Sequence, residues 1–276
     1  MAVEAIFQAL NNSNLEIKDI DCLIAASGTM EQAIPCNAAK ILAELNIPKA
    51  IAGFDVNATC LSALMAIDLA SSLLASEQYQ RIAIVSSDIA SPGLNWNHIE
   101  SAGLFGDGAA ALIISKPFPK SNQKIIASLF RTYSSGVSLC QIRGGGSLNH
   151  PANIEENYTS YGLFEMQGKE LYRAAAIVIQ PFCDELFTKA GITLAQIDWV
   201  IPHQASGLAM QHFFKKLEIN PDKVINLLRD RGNQIAVSLP SGLHELLQSD
   251  KARSGDKVLM IGTSAGLSVG GVILEL

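Results

Sequence analysis

Short apolar runs alternate along the chain with longer apolar or amphipathic segments, a pattern typical of an α/β protein. In the first half, the short runs predict strands at residues 22–26, 50–56 and 81–87, and the longer segments predict helices at residues 38–45 and 61–76. A glycine turn that begins at Gly106 leads into one more buried strand, which ends near Ser115. We therefore expect a sheet that is covered by helices.

The second half of the chain repeats the order of elements of the first. An Ile-Asp step opens an apolar run at residues 20–24, and the same step opens a second apolar run at residues 197–201. In both places a helix and then a proline turn follow. A repeat of this size predicts a duplicated fold with pseudo-twofold symmetry, whose site lies where the halves meet. We place the boundary in the proline-flanked segment 116–120, which divides the chain into residues 1–118 and 119–276.

Composition excludes several classes of protein. Of the 276 residues, 49% are hydrophobic and 17% are charged, which predicts a globular chain with an extensive core. The net charge of −6 and the absence of any basic cluster longer than a pair argue against a nucleic-acid partner. No apolar run reaches the roughly 18 residues of a membrane span, and the first residues lack the basic start of a secretory signal. The 5 cysteines form no CxxC pair and no Cys/His ligand pattern, so we expect no disulfide framework, no metal site and a cytoplasmic location.

Cys60 is the most informative polar position. It ends the predicted strand at residues 51–60 and opens the apolar stretch at residues 61–74. The first turn of a helix presents unpaired N–H groups and the positive end of the helix dipole, which favour a thiolate over a thiol. We therefore expect a nucleophile there. The alternative is that Cys60 is a small buried hydrophobic side chain.

Two other polar residues follow predicted buried strands, in the second half of the chain. His203 comes directly after Pro202, and Asn233 follows Gly232 and precedes a buried apolar helix. Loops at the carboxyl ends of strands are where α/β proteins usually bind ligands. Taken separately, a satisfied structural histidine and an ordinary Gly-Asn turn would explain these two residues as well.

Four motifs in this order resemble the β-ketoacyl-acyl-carrier-protein synthase III family of the thiolase superfamily, and the resemblance extends over essentially the whole chain. The motifs are a nucleophile turn, a glycine turn, a histidine motif and an asparagine motif: Asp55-Val-Asn-Ala-Thr-Cys60, Phe105-Gly-Asp-Gly-Ala109, Pro202-His-Gln-Ala205, and Gly232-Asn233 with Ser238-Leu-Pro240. The resemblance implies a thiolase-like fold in which two α/β halves form five layers, α-β-α-β-α.

The resemblance also implies roles for these residues. Cys60 would take an acyl group from acyl-CoA, with the backbone N–H groups of Cys60 and Gly266 as the oxyanion hole. His203 and Asn233 would both donate to the carbonyl of a malonyl thioester on acyl carrier protein, stabilising the enolate that forms as CO₂ leaves. The product would be a 3-oxoacyl thioester, and no metal or redox cofactor is implied. Asp107, between two glycines, is expected to be structural.

Substrate contacts follow from the same resemblance. Gly168 and Tyr172 match a helix start that borders the pantetheine tunnel of the family, so they are candidate lining residues. Ile34 matches a gating position that reaches across the family's dimer interface and is often phenylalanine. Because isoleucine is smaller, we expect a primer that is longer or more branched than acetyl.

Lys215 and Lys216 match basic residues of the family that meet the acidic carrier protein, and a solvated charged face is the alternative interpretation. Leu208 stands where the family often has arginine, which weakens the docking interpretation. A homodimer is expected, formed through the strand at residues 81–87, because so apolar a sheet edge is not expected to stay bare.

Members of the family usually have about 50 further residues ahead of the segment that matches Met1, including a strand that we expect to be central in its half-sheet. Two other functions stay open. A related acyltransferase could transfer the acyl group from Cys60 to a hydroxyl, an amine or a non-malonyl carbanion, with Glu31 as a base. A non-catalytic partner subunit could keep the fold and lend its interface to an active homologue.

Overall fold

The computed structural model describes residues 1–116, 123–154 and 157–276. The helices are α1 (Ala2–Asn12), α2 (Asn37–Leu45), α3 (Ser62–Ala75), α4 (Ile99–Ala102), α5 (Gly168–Ala190), α6 (Gly207–Lys216), α7 (Leu228–Arg231) and α8 (Ser238–Gln248). The strands are β1 (Cys22–Ala25), β2 (Ala52–Asp55), β3 (Arg81–Asp88), β4 (Gly108–Ser115), β5 (Lys124–Thr132), β6 (Cys140–Ile142), β7 (Phe164–Met166), β8 (Trp199–Pro202), β9 (Lys257–Ser264) and β10 (Ser268–Glu275). The predicted boundary between residues 118 and 119 lies outside the described residues.

Two four-stranded sheets have matching arrangements. The first has the order β2-β1-β3-β4, in which β1 is parallel to β2 and β3, and β4 is antiparallel to β3. The second has the order β5-β10-β9-β8, in which β8 is parallel to β9, and β10 is antiparallel to β9 and β5. A parallel bridge from Val200 to Val224 sets a short segment beside β8, as β2 lies beside β1. The duplication predicted from the sequence is confirmed.

The alternation of side chains along β1 shows how the layers form. Cys22 and Ile24 face a core shared with α3, α8 and the second sheet, whereas Leu23 and Ala25 face α1 and α2. The other face of the second sheet is covered by α5 and α6. The layers therefore run α1/α2, first sheet, α3/α8, second sheet, α5/α6, which confirms the five-layer prediction.

The helix α3 is apolar on nearly all sides because it lies between two sheets. Seven of its residues are buried: Ser62, Ala63, Leu64, Ala66, Ile67, Ala70 and Leu74. A helix with a single polar face would leave polar groups against one sheet, so this position demands an apolar sequence. Burying each large aliphatic side chain contributes about 1.5–3 kcal/mol, which makes this central layer a main source of stability.

One prediction about a sheet edge is wrong. The strand β3 lies between β1 and β4, so it is not the open edge proposed for a dimer. The strand β5, which opens the second half, is an edge strand next to β10. Sequence patterns predict that strands exist but do not fix their order in a sheet.

The strands β6 and β7 form a separate two-stranded antiparallel sheet. Among the helices of the described ranges, none has the length and the hydropathy to cross a membrane.

Gly106 allows the two halves to approach closely, and its replacement tests that approach. Its N–H donates to the carbonyl of Asn233 at 3.1 Å. A Cβ at this position would lie 2.1 Å from the backbone oxygen of Arg231, so one backbone must shift. We expect Gly106→Ala to lower the free energy of unfolding by about 1–3 kcal/mol or more. Urea unfolding measures this change.

Gly146→Ala is the matched control, because a Cβ at Gly146 would meet nothing within 4 Å. Its expected change is within about 0.5 kcal/mol. A Gly106→Ala protein as stable as the wild type would contradict the close approach.

Candidate active site

Cys60 lies on a tight 3-10 turn, Thr59–Leu61, that joins β2 to α3. Thr59, the residue before it, has φ +51°. A β-branched residue is rarely found in this left-handed region, so the turn is strained. The N–H of Thr59 donates to Oδ1 of Asn57 at 2.9 Å, which holds the turn. Cys60 itself is partly buried.

Asn233 lies on a turn of the same construction in the second half. The following turn, Ile235–Val237, leads into α8 as the nucleophile turn leads into α3. Ile235 has φ +55°, and its N–H donates to Oδ1 of Asn233 at 2.9 Å. Asn233 therefore corresponds to Asn57, and Ala236 corresponds to Cys60.

Buried serines complete the symmetry of the two turns. Oγ of Ser62 accepts from the N–H of Ala58 at 2.9 Å, and Oγ of Ser238 accepts from the N–H of Gln234 at 3.2 Å. Both serines are the first residues of their helices, α3 and α8. The duplicated fold thus provides two equivalent turns that each hold an asparagine, and the first carries the thiol of Cys60 where the second carries Ala236.

The hydrogen bonds of Asn233 leave one group free to act. Its backbone N–H donates to the carbonyl of Leu104 at 2.7 Å, and its Oδ1 is occupied by the N–H of Ile235. Since Oδ1 accepts this bond, the amide orientation is fixed, and the Nδ2 group is the available donor. The side chain is buried, at 7% exposure. Asn233 therefore presents a preorganised N–H donor.

His203 follows β8 and is buried at 5% exposure. Its backbone N–H continues the sheet by donating to the carbonyl of Ile261 at 2.8 Å. Burial lowers the pKa of the imidazole to about 4, so the ring is neutral at pH 7. Its Nδ1 atom is buried and has no hydrogen-bond partner among the described residues. A neutral ring carries one N–H and can donate it to a ligand.

The thiol of Cys60 does not have the lowered pKa that the sequence predicts. Burial raises the pKa of Cys60 to about 12, and the nearby Cys140 and Asp88 raise it further. The backbone N–H groups of Ala265 and of Cys60 itself oppose this shift. Burial is the largest cause of this shift, and its effect on the thiolate exceeds that of the helix start.

Glycines bring the three functional turns together. A Cβ at Gly262 would lie 2.5 Å from Cβ of His203 and 3.5 Å from Cδ2 of Leu61. The missing side chain at Gly262 therefore lets the histidine and the nucleophile turn lie close together. A Cβ at Gly28 would lie 2.6 Å from Cγ2 of Ile235 and 3.3 Å from the backbone of Thr59. The thiol turn and the carboxamide turn therefore meet at Gly28. The three segments that are distant in sequence are neighbours in the fold.

A cavity of about 120 Å³ lies between α5, α6 and the end of β9. Among the described residues, its lining includes His203 and Tyr172, but not Cys60 or Asn233. The hydroxyl of Tyr172 lies 2.6 Å from Nδ1 of His212, which ties α5 to α6 at this cavity. Lys216 also lines it and donates to the carbonyl of Ala176 on α5.

The other predicted site residues lie at the surface. Gly168 is the exposed first residue of α5, and Lys215 is exposed near the end of α6. Ile34 is 84% exposed on the loop before α2. Leu208, where arginine was expected, is 76% exposed on α6. Glu31 forms an exposed ion pair with Lys40 at 2.6 Å.

Asp107 has the structural surroundings that were expected. Its carboxylate accepts from the N–H groups of Ala90 and Ser91 at 2.8 and 3.1 Å, and from Oγ of Ser91 at 2.7 Å. Burial opposes the change, but these bonds lower the pKa of Asp107 below its usual value. Asp107 therefore holds the loop after β3 against the glycine turn through these hydrogen bonds.

Three site residues were missed from the sequence: Asn57, Asp88 and Ala265. The amide of Ala265 lies against the sulfur of Cys60, whereas the prediction named Gly266, which has φ +77° in the same turn. Asn57 could have been found, because Asn57-Ala-Thr-Cys-Leu-Ser62 and Asn233-Gln-Ile-Ala-Val-Ser238 share the spacing from Asn to Ser. Asp88 follows a buried strand but carries no motif.

A metal site is not evident in the described ranges, since no group of three or more His, Cys, Asp or Glu side chains is placed to bind an ion.

Comparisons with known proteins agree with this arrangement. The family model for 3-oxoacyl-[acyl-carrier-protein] synthase III matches residues 54–134, and the model for its C-terminal part matches residues 187–276. The β-ketoacyl-[acyl-carrier-protein] synthase III of Aquifex aeolicus is 31% identical over 275 residues, covering 100% of this chain and 83% of the relative. The Clostridium perfringens enzyme is 32% identical, covering 100% of this chain and 84% of the relative.

A crystal structure of the Aquifex aeolicus synthase superposes with a TM-score of 0.87 at 29% identity, over 100% of this chain and 83% of that one. Xanthomonas campestris OleA has the same fold, with a TM-score of 0.86 at 20% identity, over 100% of this chain and 81% of that one. The chain therefore belongs to the 3-oxoacyl-[acyl-carrier-protein] synthase III family.

Proposed function

We propose that this chain is a β-ketoacyl-acyl-carrier-protein synthase III-type acyltransferase. Cys60 takes an acyl group from acyl-CoA, and the acyl-enzyme then condenses with malonyl-acyl carrier protein. The products are 3-oxoacyl-acyl carrier protein and CO₂. Relatives at 31% and 32% identity carry the name of this enzyme.

The observation that supports this function best is the pairing of two equivalent turns next to a neutral histidine. The first turn carries the thiol of Cys60, and the second carries Asn233, whose Oδ1 is already occupied by the N–H of Ile235. A thiol can hold an acyl group, and two neutral N–H donors can stabilise an enolate without protonating it. Nothing in this set requires a metal or a redox cofactor.

In the first step, the sulfur of Cys60 attacks the carbonyl carbon of the acyl thioester. The bond from carbon to the CoA sulfur breaks, and the thiol proton leaves with CoA as its free thiol. The developing oxyanion is held by backbone N–H groups of Cys60 and of the turn that contains Ala265 and Gly266. Burial raises the pKa of Cys60 to about 12, so the resting group is a thiol and its proton leaves during this step.

In the second step, the malonyl thioester carbonyl accepts from His203 and from Nδ2 of Asn233. The bond to the carboxylate breaks, CO₂ leaves, and its electron pair forms an enolate on the thioester. The enolate carbon then attacks the acyl carbon on Cys60, and the thiolate leaves and takes up a proton. Each donor in such a site typically stabilises the transition state by about 3 kcal/mol.

Substrates would enter along α5 and α6. Tyr172 borders the cavity that reaches His203, and Gly168 lies one turn ahead on the same helix. Lys215 and Lys216 at the end of α6 would attract the acidic carrier protein. CoA and carrier-protein substrates fit a cytoplasmic location.

A homodimer would form through β2. This strand is the edge of the first sheet, opposite to β4, and its residues are partly exposed. An open edge of this kind is a ready template for pairing with a second copy. Ile34, at 84% exposure on the adjoining loop, would then reach the partner's acyl pocket. We expect light scattering to give twice the mass of one chain, and a monomer at micromolar concentration would contradict the dimer.

Mass spectrometry of the intact protein tests the function. Wild-type protein is mixed with acyl-CoAs of increasing chain length and branching, and the added mass on Cys60 is measured. Malonyl-acyl carrier protein is then added, and CO₂ and the 3-oxoacyl product are measured. Loading by a primer longer than acetyl followed by CO₂ release supports the proposal and the role of Ile34. Loading by acetyl-CoA alone would contradict the primer prediction.

The same assay separates the other functions. Loading without CO₂ release from the malonyl thioester would favour transfer to another acceptor. Glu31 does not support that chemistry, because it is exposed and paired with Lys40. Absence of any acyl label would favour a non-catalytic subunit.

A further inference from the structure

Asp88, at the end of β3, is a fully buried carboxylate at 0% exposure that has no part in the steps above. Its Oδ1 accepts from the N–H of Gly28 at 2.8 Å, and from the N–H and Oγ1 of Thr29 at 2.7 and 2.9 Å. Its Oδ2 accepts from the N–H of Ala236 at 3.0 Å. One oxygen therefore binds the first half, and the other binds the second.

The groups bound by Asp88 support the two reacting turns. On the first side, Gly28 packs against the backbone of Thr59, and the carbonyl of Ser27 accepts from Oγ of Ser62 at 3.2 Å. On the second side, Ala236 lies in the turn that fixes the carboxamide of Asn233. A shift of Asp88 would therefore move the thiol turn and the carboxamide turn relative to each other.

A buried carboxylate is costly unless donors surround it. Burial raises the pKa of Asp88, while the bonds from Thr29, Ala236 and Gly28 oppose this change. All four hydrogen bonds need the carboxylate as acceptor. Protonation of Asp88 would place an O–H donor against at least one of these donor groups. The charge of Asp88 also raises the pKa of Cys60, which disfavours the thiolate of the nucleophile.

We propose that Asp88 is a positioning residue that sets the distance between the nucleophile turn and the carboxamide turn, so that the enolate forms within reach of the acyl-cysteine. This inference rests on the proposed function. Because each oxygen serves one half, the two steps of the reaction can be separated by substitution.

Asp88→Asn is the main test. An asparagine has one acceptor and one amino group, and the three donors of Gly28 and Thr29 attract its oxygen. Its amino group then faces the N–H of Ala236, and only the connection to the second half is lost. We expect loading of Cys60 to keep its full amplitude and the condensation rate of preloaded enzyme to fall about 10- to 100-fold. Single-turnover measurement of product from malonyl-acyl carrier protein gives this rate.

Asp21→Asn is the matched control. Asp21 accepts from the N–H groups of Gln80 and Arg81 at 2.8 and 3.1 Å, so it binds the opposite end of β3, away from the turns. We expect its variant to load and condense at wild-type rates. Condensation by Asp88→Asn at the wild-type rate would overturn the inference, as would an equal loss in Asp21→Asn.

Thr29→Val tests the positioning role of Asp88 if the Asp88→Asn protein does not fold. It removes the Oγ1 donor to Asp88 on the first side, and with it the acceptor for the N–H of Ile89, so the nucleophile turn is held less firmly and both loading and condensation should slow several-fold. Equal rates of loading in Thr29→Val and wild type would then overturn the inference.

The alkylation rate of Cys60 with iodoacetamide, followed by peptide mass spectrometry at fixed pH, needs no enzymatic activity. Removal of the Asp88 charge lowers the pKa of Cys60, so alkylation should be faster in Asp88→Asn than in Asp21→Asn, and equal rates would contradict the coupling. If the wild type neither loads nor condenses, the proposed function fails, while this comparison still tests the contact between Asp88 and the thiol turn.

Discussion

Cys60→Ala is expected to abolish acyl-enzyme formation with every acyl-CoA that loads the wild type. Alanine occupies the equivalent place in the second half, at Ala236, so the turn accepts it and the fold should be unchanged. The loss would therefore report the missing sulfur and not a broken turn. Intact-mass spectrometry after incubation with the best primer measures it, and thermal unfolding of the same sample checks the fold.

Cys36→Ala is the control for this experiment, because Cys36 is the exposed free thiol of the chain. Exposed thiols can acquire acyl groups by direct exchange with a thioester. We expect Cys36→Ala to keep the full label. A label that persists in Cys60→Ala and disappears in Cys36→Ala would show that loading is adventitious, and the proposed function would fail.

Asn233→Asp is expected to lower the condensation rate about 10²- to 10³-fold, which corresponds to roughly 3–4 kcal/mol of transition-state stabilisation. An aspartate can still accept from the N–H of Ile235, so the turn is kept. The substitution replaces the Nδ2 donor with a second carboxylate oxygen. This oxygen cannot donate to the thioester carbonyl and repels the carbonyl oxygen. Loading of Cys60 should proceed at nearly the wild-type rate. Stopped-flow release of CO₂ from malonyl-acyl carrier protein on preloaded enzyme gives the rate of the second step.

Asn226→Asp is the matched control, because it makes the same change from carboxamide to carboxylate and also keeps its turn. Oδ1 of Asn226 accepts from the N–H of Leu228 at 3.1 Å, the same kind of bond between residues two apart, on an exposed loop. We expect this variant to condense normally. If Asn233→Asp lost loading and condensation equally, Asn233 would support the fold of the site and would not act as a donor in the second step.

Much of the fold could be predicted because its signals are local. The apolar runs at residues 22–26 and 81–87 are buried strands, and the apolar stretch that follows Cys60 is the central helix α3. The repeat of Ile-Asp and an apolar run predicted the duplication, because each half must bury the same faces to be stable.

The order of strands could not be read in this way. Strand order depends on pairings between segments that are far apart in sequence, and the structure pairs β3 with both β1 and β4. For the same reason the predicted dimer edge was wrong, since β3 is an interior strand and the described sheet ends at β2 and β4.

The site was predicted in part. Its residue types and order along the chain predicted Cys60, His203 and Asn233, and the fold places them on adjoining turns. Their roles stay predictions until the variants are measured. The residues that hold these turns were missed, since Asp88 acts through backbone N–H groups, which any residue can supply.

The sequence by itself determined the alternation of strands and helices, the duplication and the set of reactive side chains, because periodicity, repetition and residue chemistry are properties of the chain alone. Only the tertiary structure decided the ionisation and orientation of those side chains. The pKa of Cys60 is raised to about 12 and that of His203 is lowered to about 4 by burial, and burial depends on what the rest of the chain places around each group. The carboxamide of Asn233 keeps its Nδ2 group available as a donor because one backbone N–H occupies its oxygen.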